Sequence, residues 1–93
     1  MEKIYEEAVK TFGVLDTAYK FIEEMSECQK EVCKWLEGQG DAEHMAEEMV
    51  DVYITYAKWM FVMQANVRGF GALCKKYEKE KLERLQELID KAR

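Results

Sequence analysis

The chain has 93 residues, of which 48% are hydrophobic and 35% charged, a balance that is typical of one folded domain (residues 1–93) and excludes a disordered chain. The formal net charge is −5, and an acidic surface repels phosphate backbones, so we expect no nucleic-acid partner. The three cysteines form no CxxC pair, which argues against a disulfide framework and against a zinc site.

Glycines divide the chain into four predicted helices. There is no proline, and glycine commonly follows a helix end because the left-handed conformation costs it little. We predict helices over about 2–12, 16–37, 41–68 and 72–92, with Asp16 and Asp41 as N-caps of the second and third. Strand-like alternation is absent, so the predicted fold class is all-α, an antiparallel four-helix bundle. The first residues show no signal-peptide pattern, so we expect a cytoplasmic protein.

The second and third predicted helices differ in their apolar patterns. The second has an apolar stripe at helical spacing, which we expect to form its core face: Ala18, Phe21, Ile22, Met25, Cys28, Val32, Trp35 and Leu36. The third is apolar on nearly all sides between 49 and 63, yet Asp51 and Lys58 interrupt a run that is already too short to span a membrane. We therefore expect this helix to face a second subunit as well as its own core, and predict a homodimer or homotetramer.

The fourth predicted helix combines an apolar stripe with basic residues. Leu82, Leu85 and Leu88 have the spacing for packing. Five of the 14 basic residues lie between 75 and 84 in the same helix: Lys75, Lys76, Lys79, Lys81 and Arg84. They form either a solvated face with Glu–Lys pairs or a patch that faces an anion.

An acidic pattern, E-E-M-x-[E/D], occurs once in the second helix, at 23–27, and once in the third, at 47–51. Acids at i and i+3 are neighbours on one helix face. In each copy an acid precedes an expected core methionine, Met25 or Met49, so the acids lie on the shoulder of the apolar stripe. We expect the short turn at 38–40 to make the two helices antiparallel and to bring four carboxylates together: Glu24, Glu27, Glu48 and Asp51.

Such a cluster of carboxylates needs a counter-charge. Two carboxylates ~5 Å apart repel by roughly 3 kcal/mol at an effective dielectric constant near 20. A divalent cation removes this repulsion, and ligands that are all oxygen atoms select a hard ion such as Mg²⁺ or Mn²⁺. Mg²⁺ also keeps positions open for water and for phosphate oxygens of a substrate. The sequence therefore predicts metal-assisted phosphate chemistry.

At these residues the chain resembles a known family. EExxE at 23–27, followed after twenty residues by ExxD at 48–51, is similar to the signature of MazG-like nucleotide pyrophosphohydrolases in the all-α NTP pyrophosphatase superfamily. The Gly13 break and the KLERL segment at 81–85 are similar to small, phage-type members. The resemblance implies an oligomeric helical bundle that uses Mg²⁺ to hydrolyse nucleoside triphosphates, or their deoxy forms, to monophosphate and pyrophosphate.

The resemblance also implies roles for individual residues. The metal ligands would be Glu24, Glu27, Glu48 and Asp51. Glu23 would support the site or orient the attacking water, which makes Glu23, Glu24 and Glu27 the catalytic candidates. Lys81 and Arg84 would meet the substrate phosphates.

The sequence allows two interpretations of several residues. Lys58 lies seven residues after Asp51 and either meets a triphosphate tail or only pairs with an acid or extends its amine to solvent. Glu31 either borders the site or only solubilises the helix, and the single histidine, His44, is taken as a surface residue. The competing function for the whole chain is a non-enzymatic acidic adaptor whose apolar third helix binds a partner.

Overall fold

The computed structural model describes residues 2–93 and contains four α-helices: α1 (Glu2–Phe12), α2 (Val14–Leu36), α3 (Ala42–Asn66) and α4 (Phe70–Ala92). No strand occurs within these described residues, so the predicted all-α class is confirmed. Met1, the first residue of the predicted domain, lies outside them. None of the helices in the described part of the chain has the length and apolarity that crossing a membrane requires.

The helices belong to two compact units. The first, Met1–Val62, holds α1, α2 and most of α3, and the second, Met63–Arg93, holds the end of α3 and all of α4. The first unit contains all the acidic residues of the repeated pattern. The single domain over residues 1–93 stays a prediction.

A single residue, Gly13, separates α1 from α2. Its φ of 92° and ψ of 165° belong to a region that side chains with a Cβ rarely enter. The Gly13 carbonyl accepts hydrogen bonds from the Thr17 amide at 3.1 Å and from the Thr17 hydroxyl at 2.8 Å. The helix thus begins at Val14 with Gly13 as its N-cap, and the prediction that Asp16 caps it is wrong, because Asp16 already lies in the first turn.

The predicted N-cap of α3 is confirmed. The Asp41 carboxylate accepts a hydrogen bond from the backbone N–H of His44 at 2.7 Å, which satisfies a donor that the first helical turn leaves without a partner. Before it, Gly38 adopts a φ of 77° and reverses the chain after α2. The Gln39 amide closes the turn on the Lys34 carbonyl at 2.8 Å.

The helices α2 and α3 run antiparallel. The ring of Phe21 meets the ring of Tyr56 edge-on, with 6.1 Å between centroids, while Glu31 contacts His44 nearer the turn. Residue numbers therefore rise along α2 as they fall along the facing part of α3. This register brings the acidic segments of the two helices to the same level.

The least exposed side chains of both helices are spaced alternately by three and four residues. On α2 this inner row is Thr17, Phe21, Glu24, Cys28 and Glu31, and on α3 it is Met45, Glu48, Val52, Thr55, Trp59 and Val62. Three acids thus lie within the inner rows. The expectation that the four acids lie on the shoulder of an apolar core stripe is wrong for Glu24 and Glu48, which lie in the inner rows themselves, whereas Glu27 and Asp51 are exposed.

Few apolar side chains of the described residues are fully buried, with Val9 and Val62 as the clear cases. Met25 and Met49, expected in the core, are instead 42% and 58% exposed, and Trp35 and Leu36 are exposed as well. The physical reason is that Met25 and Met49 each follow an acid of the inner row, and one residue turns a helix by about 100°. Much of the apolar surface of α2 and α3 is therefore uncovered in a single chain.

Candidate metal centre

Three carboxylates from two helices converge in the first unit. Glu24 of α2 and Glu48 and Asp51 of α3 each offer one oxygen, and these oxygens lie within 4.8 Å of one another. Glu24 and Glu48 are half-buried, whereas Asp51 is exposed and opens the group to solvent. These are three of the four residues that the sequence predicts as metal ligands.

The antiparallel register explains this meeting. Glu24 lies seven residues before Glu31, and Asp51 lies seven residues after His44, so Glu24 and Asp51 face each other two turns from the Glu31–His44 contact. Glu48 is one turn from Asp51 on the same face of α3. Two antiparallel helices with acids at these positions necessarily bring the three side chains to one level.

The electrostatics of the group show the cost of this arrangement. Burial away from water raises the pKa of the Glu24 carboxyl above its ordinary value of 4.5, and the negative charges of Asp51, Glu48, Glu23 and Glu27 raise this pKa further. Glu24 thus holds its proton more tightly than a carboxyl in water. A cation among these oxygens would remove the repulsion and favour the ionised form.

Glu48 carries an unsatisfied acceptor. Its Oε2 atom is buried and has no hydrogen-bond partner among the described residues, although a buried carboxylate oxygen normally accepts one. An all-oxygen donor set with a buried free lone pair fits a hard divalent cation such as Mg²⁺ or Mn²⁺. The residues present therefore fit the predicted ion.

The other two acids of the EExxE segment, Glu23 and Glu27, lie outside the group of three. Glu27 lies 3.5 Å from the Lys30 ammonium, and Glu23 lies 3.9 Å from the Lys20 ammonium. Both are exposed, so these ion pairs hold them weakly. With Ile22, Glu24 and Ser26 they line a groove of about 450 Å³ beside the carboxylate group. Their roles as a fourth ligand and as a water-orienting acid stay predictions.

The predicted phosphate-binding residues are less closely defined. Lys58 is half-buried on α3 in the first unit, and none of the carboxylates of residues 3–93 forms an ion pair with it. This leaves its ammonium available to an anion. Lys81 and Arg84 lie on α4, in the second unit, and their side chains are exposed. Their contact with substrate stays a prediction.

Two further residues lie next to the group: Glu31, for which the sequence left bordering the site and solubilising the helix as alternatives, and His44, which was expected at the surface. Glu31 is buried, and its Oε1 atom lies 2.9 Å from His44 Nε2. The same His44 nitrogen lies 3.7 Å from Glu48 Oε1. Both positions have a signal in the sequence, because Glu31 is seven residues after Glu24 and His44 is four residues before Glu48, which places each on the face of a predicted ligand.

No family model matches the sequence, and no curated protein or solved structure is significantly similar to it. The resemblance to MazG-like pyrophosphohydrolases rests on the two acidic segments and their spacing, and membership of that family stays a prediction.

Proposed function

We propose that this protein is a Mg²⁺-dependent nucleoside triphosphate pyrophosphohydrolase that works on ribonucleotides or deoxyribonucleotides. The convergence of Glu24, Glu48 and Asp51 within 4.8 Å is the observation that supports it. A cation bound among these oxygens would offset the repulsion that raises the pKa of Glu24 and would give Glu48 Oε2 a partner. A hard ion held by three carboxylates retains sites for phosphate oxygens, which favours phosphate esters as substrates.

The chain's own residues would divide the work of hydrolysis. Glu24, Glu48 and Asp51 would hold the ion, with Glu27 as the proposed fourth ligand. The ion would supply polarisation of the α-phosphoryl group and a lowered pKa of a coordinated water. Glu23, on the groove beside the site, orients the attacking water. Lys58, in the same unit as the carboxylates, would neutralise charge on the departing pyrophosphate. For Lys81 and Arg84 a phosphate-binding role is proposed from the family resemblance alone.

The proposal includes assembly into a cytoplasmic homodimer or homotetramer with a MazG-like bundle. The exposed apolar side chains of α2 and α3 support it, since soluble monomers rarely expose large contiguous apolar patches. A second copy that covers these faces would complete the core that one chain lacks.

A non-enzymatic adaptor is the second candidate. A groove of about 410 Å³ between α2 and α3 is almost entirely apolar and favours this alternative. It is lined by Val32, Trp35, Ala42, Met45, Ala46 and Met49. An adaptor would bind a partner in this groove, and the three converging carboxylates would then have no role in its function.

Pyrophosphate release distinguishes the two candidates. The purified chain is incubated with Mg²⁺ and a panel of canonical and modified nucleoside triphosphates, and released pyrophosphate is measured. We expect release by the wild type, loss of release in Glu24→Gln, and unchanged release in Glu43→Gln, an exposed acid in the first turn of α3 outside the group. Absence of release from every nucleotide, or equal rates in both variants, would contradict the hydrolase.

A further inference from the structure

The most deeply buried acid of the described residues is not one of the three converging carboxylates. The Glu31 side chain is 5% exposed, and its Oε1 atom contacts two basic groups: His44 Nε2 at 2.9 Å and the Lys34 ammonium at 3.7 Å. The histidine comes from the opposite helix, so the Glu31–His44 contact ties α2 to α3. A buried carboxylate without such a partner would be costly.

His44 touches Glu48 with the same nitrogen. The Nε2 atom lies 2.9 Å from Glu31 Oε1 and 3.7 Å from Glu48 Oε1, so one ring nitrogen contacts both acids. The longer distance is beyond a hydrogen bond but is van der Waals contact. The ring edge therefore occupies the space on one side of the Glu48 carboxylate.

The His44 ring restricts the orientations that the Glu48 carboxylate can adopt. The Glu48 side chain is 13% exposed, and its Oε2 atom has no hydrogen-bond partner, so no direct hydrogen bond from the described residues fixes its orientation. The imidazole prevents the carboxylate from turning toward the α2–α3 turn, and Asp41 anchors the backbone of His44. A ligand that is already oriented loses less freedom when it binds an ion.

We propose that Glu31 and His44 form a positioning pair, in which Glu31 fixes the His44 ring and the ring holds Glu48 in its orientation for the divalent cation. This inference rests on the proposed metal site. The positioning pair assigns a structural role to His44 and Glu31, neither of which takes part in the proposed hydrolysis itself.

The test is Mn²⁺ affinity, measured by electron paramagnetic resonance of the free ion, with folding followed by circular dichroism. We expect His44→Ala to weaken Mn²⁺ binding by about tenfold, the lower end of effects from groups that orient a metal ligand. His44→Gln should restore binding, because its side-chain amide has donors that can contact the Glu31 carboxylate as the ring nitrogen does. Lys34→Ala is the matched control, since it removes the other basic contact of Glu31 without touching Glu48.

Glu31→Leu gives an independent arm should His44→Ala fail to fold. It fills the buried position and removes the acceptor that fixes the ring, so we expect a loss similar to that of His44→Ala and no further loss in the double variant. Unchanged or tighter binding in both single variants would overturn the positioning pair while leaving the metal site intact. Absence of Mn²⁺ binding by the wild type would overturn both the metal site and the pair.

Discussion

At the scale of single residues, the chain places negative charges where they repel one another. Glu24 illustrates this, because burial and the facing acids all disfavour its ionised form. Natural sequences retain such unfavourable groups mainly at functional sites. Under the proposed function, a bound cation would relieve this repulsion.

Glu24→Gln should stabilise the metal-free protein at neutral pH. The pKa of Glu24 is raised by folding, so the folded state binds this proton more tightly, and the wild type loses stability as the pH rises through the raised pKa. Urea unfolding in the presence of a chelator should show the variant to be more stable near pH 7. Well below pH 4.5 the Glu24 carboxyl is protonated in both the folded and the unfolded state, so the difference in stability between wild type and variant should disappear. An equal difference at both pH values would contradict this electrostatic origin.

At the scale of helices, the N-cap of α3 can be tested separately from the carboxylate group. Asp41→Ala removes the carboxylate that accepts the His44 amide, and loss of an N-cap typically costs about 1 kcal/mol. Denaturant unfolding should show this loss. Asp16→Ala is the control, since Asp16 accepts no hydrogen bond at the start of α2 and should cost clearly less. Equal losses in the two variants would count against the assigned cap.

The junction between α1 and α2 gives a second test at this scale. Gly13→Ala forces a Cβ into a conformation with φ of 92°, which costs on the order of 1–3 kcal/mol. Gly71→Ala is the matched comparison, because Gly71 lies inside α4 with an ordinary φ, and a new Cβ there would meet only the flexible Gln64 side chain. Thermal unfolding should show a lower Tm for Gly13→Ala than for Gly71→Ala, and the reverse order would refute the strain.

The helices were predictable from the sequence because glycines mark every break, and the ends differ from the predicted ones by two residues or fewer. The side of α2 that faces inward was not predictable in the same way. Hydropathy assigns Ile22 and Met25 to the inside, whereas the inner row runs through Glu24 and Glu31. A pattern read from apolar residues misses an inner row that contains acids. The spacing of the acids, which does not depend on hydropathy, predicted the approach of Glu24, Glu48 and Asp51, but it also included Glu27, which lies outside the group.

At the scale of the whole molecule, the uncovered apolar faces predict self-association. Sedimentation equilibrium should give about two or four times the chain mass of 11.0 kDa. Met49→Glu places a charge in the apolar groove of α2 and α3 and should shift the protein toward the monomer. Lys10→Gln, on α1, changes the net charge by the same amount and should not. A wild type that sediments as a monomer would contradict the assembly.

The most direct measurement of the central claim is a calorimetric titration of the protein with Mg²⁺. A cation held by oxygens of Glu24, Glu48 and Asp51 should give a saturable isotherm, and Asp51→Asn should weaken it by more than the roughly tenfold expected for an outer contact. Glu43→Gln, an equal change of charge on the same helix, should leave the isotherm as it is. No saturable binding, or the same loss in both variants, would show that these carboxylates do not hold an ion.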